Sequence, residues 1–150
     1  MLLSNKRTLA SAESFTGGRI GAAVTATPGA SAYYLGSVVA YSNRAKVDLL
    51  GVRAVTLERH GAVSAEVAEE MATGARERFD CDLALSSTGI AGPDGGSPEK
   101  PVGLVYPVLA THSGSTSVRY VFGGSREEVI ARSTAYALDL ARRHFLKKTG

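Results

Sequence analysis

A serine lies where an apolar strand is predicted to turn into a helix. In the stretch SAESFTGGRIGAA, Ser14 follows a short β-capable segment and precedes Gly17 and Gly18. A serine at such a turn presents its hydroxyl beside amide N–H groups that a helix leaves unpaired. Those donors can stabilise an oxyanion, and glycines let a substrate approach the backbone closely. The pattern indicates a nucleophile loop, although a helix N-cap at Ser14 or Thr16 explains the same residues.

A serine nucleophile needs a base, and Lys46 is the candidate that the sequence offers. The three histidines are scattered along the chain and form no triad pattern with Ser14. Lys46 lies in AYSNRAK, one helical turn after a predicted strand that ends near Tyr41, and apolar residues flank it. A lysine acts as a base once burial or a neighbouring cation lowers its pKa. A solvated helix lysine remains the alternative for Lys46. Tyr41 could relay or donate a proton beside Lys46, and packing is the alternative role for Tyr41.

The segment STGIAGPDGGSPEKPVG is a second loop suited to ligand binding, because its glycines follow one another closely. Glycine-rich turns expose successive N–H groups that bind anions. The loop matches neither GxxxxGK[ST] nor GxGxxG, so it does not indicate a nucleoside triphosphate or dinucleotide site. Contact with a phosphate or a ribose fits it, and a flexible lid is the alternative. Arg126, on the first turn of the last predicted helix, adds a cation nearby or is a surface arginine.

Predicted strands and helices alternate along the chain and place these loops at strand ends. The strands are RTLASA, YYLGSVVAY, LALSST, VGLVYPVLA and VRYVF, the last two forming a hairpin around Ser113-Gly114. Helical periodicity and capping residues predict helices within Gly17–Thr27, after Ser42, around Thr56–His60, after Ser64 and after the Ser125–Glu128 capping box. This alternation predicts a layered α/β domain, and the late hairpin makes its sheet mixed. Ligands bind at the carboxyl ends of strands in such sheets.

The bulk composition is that of one ordinary globular domain of 150 residues, 44% hydrophobic and 21% charged. No apolar run approaches the ~20 residues that span a bilayer, and no leader pattern follows Met1. A single cysteine suits a reducing cytoplasm, so we expect a cytoplasmic protein that contacts no membrane. A net charge of +3 without a basic stripe interleaved with aromatics argues against nucleic-acid binding. No cluster has metal-ligand spacing, and we expect no bound metal.

The motifs taken together resemble the CinA C-terminal family. AESFTGG, VVAYSNRAKVDLLGV, ERHGAVSAEVAEEMA and STGIAGPDGGSPEKPVG occur in the family's order and spacing, from about Thr8 to Leu140. The resemblance implies a three-layer α/β/α sandwich with a mixed, mostly parallel sheet. It also implies one domain over residues 1–150, without the N-terminal helix that most members carry. The family's enzymatic members are nicotinamide-nucleotide amidases, and other members are competence- and damage-inducible proteins.

The resemblance further implies an activity and roles for individual residues. Nicotinamide mononucleotide and water would give nicotinate mononucleotide and ammonia through an acyl-enzyme, with no cofactor. Ser14 matches the family's nucleophile and Lys46 its base, with Tyr41 in support. The residues expected to line the oxyanion region and bind the substrate are Thr16, Gly17, Gly18, Thr88, Gly89, Gly92 and Arg126. Because family members assemble, a homo-oligomer is expected.

Two residues depart from the family's pattern. Phe15 stands beside Ser14 where the family usually has cysteine, and Ile130 stands where an arginine is common. The Phe15 ring either narrows the pocket or packs under the loop. These changes leave a catalytically silent nucleotide-binding domain as an alternative. An amidohydrolase that acts on another small carboxamide is a third hypothesis, which the retained serine and lysine equally permit.

Overall fold

The computed structural model describes residues 1–147, and it contains six strands and five α-helices in that range. In chain order the elements are β1 (Leu9–Glu13), α1 (Arg19–Thr25), β2 (Tyr34–Val39), α2 (Asn43–Leu50), α3 (Ala54–His60), α4 (Ala65–Phe79), β3 (Leu83–Gly89), β4 (Leu104–Thr111), β5 (Gly114–Ser117), β6 (Tyr120–Val121) and α5 (Arg126–Lys147). The predicted alternation of strands and helices is confirmed.

The sheet is mixed, with the strand order β2-β1-β3-β4-β5 and with β6 beside β4. The interior strand β1 pairs in parallel with β2 and with β3. β4 runs antiparallel to β3, β5 and β6, so within residues 1–147 it is the only reversed strand. Most strands therefore point one way, as expected, yet most pairings are antiparallel. The loop from β3 to β4 contains no helix, and such direct connections suit antiparallel neighbours.

Helices cover both faces of the sheet, which confirms the three-layer sandwich. On one face, Ile20 of α1 and Ala137 of α5 pack against Leu9 and Leu85. On the other face, α2 and α4 pack against the alanines of the same strands, in a cluster that includes Leu50, Val67, Met71, Ala10 and Ala84. Along β3, Leu83 and Leu85 face one layer and Ala84 faces the other, which is the two-residue period of a strand whose two faces are both covered.

Serine caps fix three helix starts where the sequence predicted them. The Ser42 hydroxyl accepts a hydrogen bond from the amide of Ala45 at 3.1 Å, at the start of α2. The Ser64 hydroxyl accepts one from Val67 at 3.3 Å, at the start of α4. At α5 the capping box is reciprocal, since Glu128 N donates to Ser125 Oγ at 3.3 Å and Ser125 N donates to Glu128 Oε2 at 2.7 Å. These caps satisfy amides that the helices leave unpaired.

The end of the sheet differs from the expectation of one strand in VRYVF. The predicted hairpin exists, with Thr111 opposite Gly114, but its second strand is the polar segment Gly114–Ser117. VRYVF contributes only Tyr120–Val121, which pairs with the beginning of β4. The first three residues of β5 are exposed and polar, so no alternation of apolar residues marked it as a strand.

Gly74 marks the closest approach between α4 and the end of α2. A Cβ atom built on Gly74 would lie 1.8 Å from the carbonyl oxygen of Leu50. We expect Gly74→Ala to lower the free energy of unfolding by about 1–3 kcal/mol, because the two helices must separate. Urea unfolding measures this loss. Thr73→Ala, at an exposed neighbouring position of the same helix, is the control, and equal losses in both variants would contradict the close-approach explanation.

No α-helix among residues 1–147 has the length and apolar content needed to cross a membrane.

Candidate active site

The loops that follow β1, β2 and β3 meet at the carboxyl ends of these strands, because the three strands are parallel neighbours. Ser14 directly follows β1, and its amide donates to the carbonyl of Ser87 in β3 at 3.1 Å. On the other side, the amide of Ala40, just after β2, donates to the carbonyl of Glu13 at 2.8 Å. Ser14 therefore lies between the ends of β2 and β3.

The turn after Ser14 is tight and depends on two glycines. The Gly17 amide donates to the carbonyl of Ser14 at 3.0 Å and closes the turn. Gly17 and Gly18 have φ angles of +59° and +99°, which side-chain-bearing residues rarely adopt. The N-cap of α1 is Gly18, which has no side chain with which to cap the helix. The alternative that Ser14 or Thr16 is the N-cap is therefore wrong.

Glu13, which the sequence analysis did not single out, provides the hydrogen-bond acceptor that an N-cap side chain would otherwise provide. Its side chain is fully buried, and its carboxylate accepts hydrogen bonds from the amides of Gly18 and Ile20, both at 3.0 Å. It also accepts one from the hydroxyl of Thr16 at 2.8 Å. The signal available in the sequence was a glutamate at an inward-facing position of the otherwise apolar and small LASAE strand.

The backbone donors near Ser14 are distributed differently from the expectation. The amides of Gly17 and Gly18, expected to line an oxyanion region, already donate to Ser14 and Glu13. By contrast, no hydrogen bond engages the amides of Phe15 and Thr16 among residues 1–147. The two glycines therefore act through their backbone conformation, and the N–H groups that remain unengaged are those of Phe15 and Thr16.

Lys46 is a buried lysine, with a side chain only 1% exposed. Its Nζ donates to the carbonyl oxygens of Ala40 at 2.9 Å and Tyr41 at 3.2 Å. No carboxylate among the described residues forms an ion pair with it. Burial lowers the pKa of Lys46, because removal from water disfavours the ammonium form. The alternative of a solvated helix lysine is therefore wrong.

Arg126 joins the loop that follows β2 to the loop between β3 and β4. Its Nη1 donates to the carbonyl of Gly92 at 2.9 Å, and its Nη2 donates to the Tyr41 hydroxyl at 3.2 Å. Tyr41 is 62% exposed, so this contact holds the ring at the edge of the site rather than in the core. Tyr41 thus contacts Arg126 through its hydroxyl and Lys46 through its carbonyl.

Thr88 and Gly89 lie at the same edge but are engaged in internal contacts. The Thr88 hydroxyl donates to the carbonyl of Ala62 at 2.8 Å, and the residue is 1% exposed. A Cβ on Gly89 would lie 2.7 Å from Val105 Cγ1 and 2.9 Å from the Phe15 ring. Close packing therefore requires glycine at position 89. The Thr88 hydroxyl is already engaged by Ala62, so neither residue offers a side-chain group to a ligand.

The two residues that depart from the family's pattern pack against one apolar cluster. Phe15 is 6% exposed and Ile130 is 3% exposed, and both belong to a cluster with Ala91, Val105 and Val129. The ring of Phe15 therefore packs under the loop, which was one of the two expectations for it.

Other groups considered for chemistry lie outside this arrangement. His60 pairs with Glu66 at 3.6 Å, and His112 contacts Arg76 at 3.1 Å. Cys81 is buried, and burial raises the pKa of its thiol to about 11, which makes it a poor nucleophile. Residues 1–147 contain no group of three histidine, cysteine or acidic side chains suited to a metal ion.

An apolar groove of about 500 Å³ also lies apart from these loops. Residues from the N-terminus, α1 and α5 line it, including Leu2, Val24, Tyr33 and Phe145. None of the predicted site residues lines this groove. It therefore adds nothing to the candidate site.

Comparison with known proteins gives the family context of this arrangement. The family described as CinA C-terminal domain matches residues 1–145. A CinA-like protein of Endomicrobium trichonymphae is 49% identical over 148 residues, which cover 99% of this chain and 35% of the relative. A CinA-like protein of Citrifermentans bemidjiense is 52% identical over 148 residues, covering 99% of this chain and 36% of the relative. The chain thus spans about a third of the length of these curated relatives.

Solved structures agree with this match across nearly the whole chain. Competence damage-inducible protein A of Klebsiella pneumoniae superposes with a TM-score of 0.93 at 35% identity, covering 97% of this chain and 90% of that one. A competence/damage inducible protein of Agrobacterium tumefaciens gives a TM-score of 0.92 at 39% identity, covering 95% and 87%. On its sequence match and its fold together, the chain belongs to the CinA C-terminal domain family.

Proposed function

We propose that this chain is a nicotinamide-nucleotide amidase that hydrolyses nicotinamide mononucleotide to nicotinate mononucleotide and ammonia. The observation that carries the proposal is Lys46, a buried lysine without a carboxylate partner among residues 1–147, at the sheet edge where Ser14 lies. A buried lysine is costly unless its pKa falls, and a lysine with a lowered pKa is suited to general-base work.

The two contacts of Lys46 also suit a neutral amine. A neutral amine has two N–H bonds and one lone pair, and the carbonyls of Ala40 and Tyr41 accept two hydrogen bonds from Nζ. The lone pair is then left to take the proton of the Ser14 hydroxyl. That hydroxyl makes no hydrogen bond to another residue in the described part of the chain, and Ser14 is 9% exposed.

The reaction would proceed through an acyl-enzyme. As Ser14 Oγ bonds to the carboxamide carbon, its proton passes to Lys46 Nζ and the carbonyl electron pair moves to oxygen. The amides of Phe15 and Thr16, the two residues that follow Ser14, would donate hydrogen bonds to that oxyanion. The C–N bond then breaks, and Lys46 returns the proton to the leaving ammonia. Water attacks the ester, Lys46 accepts its proton, and nicotinate mononucleotide leaves as Ser14 regains its hydrogen.

The nucleotide part of the substrate has a candidate anchor in Arg126. Its guanidinium lies between Tyr41 and Gly92, and two of its five N–H donors are engaged. A planar guanidinium is suited to hold a phosphate through paired hydrogen bonds. Gly92, which we expected in the substrate site, would then act through its carbonyl by orienting Arg126.

The proposal is tested by ammonia release from nicotinamide mononucleotide with purified protein and EDTA present. We expect ammonia and nicotinate mononucleotide in equal amounts, and slower release from nicotinamide riboside and from nicotinamide. Faster turnover of an amide without a phosphate would favour the hypothesis of another carboxamide substrate. No ammonia from any amide, together with thermal stabilisation by the nucleotide, would replace the amidase by the silent nucleotide-binding domain.

A further inference from the structure

Glu13 is a fully buried carboxylate placed directly before the proposed nucleophile. Six groups lie within hydrogen-bond distance of it: five donate at 2.8 to 3.2 Å, and Ser11 Oγ lies 3.4 Å from Oε1. Oε2 accepts from Thr16 Oγ1, Gly18 N and Ile20 N, and Oε1 accepts from Gly21 N and Ser37 Oγ. Three of these donors are backbone amides, which cannot accept a hydrogen bond, so both carboxylate oxygens act as acceptors.

The Oε2 side of Glu13 holds the turn that carries Ser14. Three of its contacts come from the segment 16–20, which begins two residues after Ser14. The N-cap Gly18 provides no side-chain acceptor, and Glu13 accepts from the amides of Ile20 and Gly21 in the first turn of α1. The direction of the chain after Ser14 is therefore set by a carboxylate on the preceding residue.

The Oε1 side of Glu13 reaches β2, the strand that leads to Tyr41 and Lys46. Ser37 Oγ donates to Oε1 at 3.2 Å, Ser11 Oγ donates to Ser37 Oγ at 2.9 Å, and Tyr34 and Ser11 share a hydrogen bond of 2.6 Å. With Tyr34 donating to Ser11, each hydroxyl proton in this chain has an acceptor. Burial raises the pKa of the Tyr34 hydroxyl, and the Glu13 charge adds to that effect.

We propose that Glu13 is a positioning residue for the amidase reaction, one that holds the Ser14 turn in register with the end of β2, where the carbonyls of Ala40 and Tyr41 bind the Lys46 side chain of α2. The inference rests on the proposed roles of Ser14 and Lys46. A nucleophile displaced by about 1 Å can lose about 100-fold in rate, so a carboxylate that ties both elements together controls kcat. Glu13 touches no substrate, and it acts through Ser14.

Glu13→Gln is the first test, because it keeps the shape but places an NH₂ group against donors. We expect kcat to fall about 100-fold while KM for nicotinamide mononucleotide changes less than about threefold. Glu70→Gln is the matched control. Glu70 likewise accepts from a backbone amide and a hydroxyl, those of Arg53 and Thr56, but it joins α3 to α4. We expect Glu70→Gln to lower stability and to leave kcat unchanged.

A second readout does not depend on the amide substrate. The rate at which a fluorophosphonate reagent labels Ser14, followed by peptide mass spectrometry, reports the reactivity of the hydroxyl. We expect labelling to slow about tenfold or more in Glu13→Gln and to match wild type in Glu70→Gln. If wild type labels at Ser14 but releases no ammonia, the proposed function fails while the role of Glu13 is still measured.

The outcome that overturns the inference is a Glu13→Gln protein with wild-type kcat and wild-type labelling. Equal losses of kcat in Glu13→Gln and Glu70→Gln would also overturn it, because they would indicate a general loss of structure. Where Glu13→Gln does not fold, Ser37→Ala removes a single donor to Oε1. We expect that variant to label more slowly than wild type by a few-fold, and an unchanged rate would count against the inference.

Discussion

The Ser14→Ala variant is expected to release ammonia from nicotinamide mononucleotide at least about 10³-fold more slowly than wild type. Loss of the hydroxyl removes the atom that would form the acyl-enzyme, and Lys46 then has no serine proton to accept. The fold should tolerate the change, because the structural contacts of Ser14 are made by its backbone. Its amide donates to Ser87, and its carbonyl accepts from Gly17.

Binding should survive where turnover does not. Stabilisation of Ser14→Ala by nicotinamide mononucleotide in a thermal melt is expected to match that of wild type. Ser31→Ala is the matched control, since Ser31 is exposed in the short turn before β2, away from the carboxyl ends of the strands. Hydroxylamine added to the wild-type reaction should divert the nicotinoyl group to a hydroxamate. Activity retained in Ser14→Ala would mean that water attacks the amide directly.

Much of the fold could be predicted because its signals are local. Ser42, Ser64 and the Ser125–Glu128 box are caps that depend on residues within one turn, and each is present. The alternation of Leu83, Ala84 and Leu85 along β3 also needs only the strand itself. The strand Gly114–Ser117 lacks such a signal, since its pairing with β4 rests on backbone hydrogen bonds and not on a buried face.

The position of the candidate site at the strand ends could be predicted from the sequence, but the contacts among its residues could not. Strand order places Ser14 after β1 and the Lys46 contacts at Ala40 and Tyr41 after the neighbouring parallel strand β2, and sequence motifs alone could only suggest that neighbourhood. The bond from Arg126 to Tyr41 joins residues 85 positions apart, which no local pattern encodes. Glu13 was missed for a related reason: its partners lie across a turn and a neighbouring strand. A buried charge is recognised only when its burial is known.

Wild-type kcat/KM is expected to rise with pH through an apparent pKa that lies below the ordinary lysine value of 10.5. The sign follows from the proposed role of Lys46, because only a neutral amine can accept the proton of Ser14. Burial lowers the pKa of Lys46, so its neutral fraction grows at a lower pH than that of a solvated lysine. A pH series of kcat/KM reports this group in the free enzyme. A profile without such a limb would contradict the assignment of Lys46 as the base.

Lys46→Arg separates a base from a positive charge at the same position. A guanidinium stays protonated throughout this range, so we expect activity to fall about 10³-fold and the rise with pH to vanish. Lys100→Arg makes the same change at a partly buried loop cation whose Nζ contacts the carbonyl of His60, and it should keep activity within about twofold of wild type. If Lys46→Arg retained the rising limb, the base would lie elsewhere, and Lys46 would act only by holding the carbonyls of Ala40 and Tyr41 together.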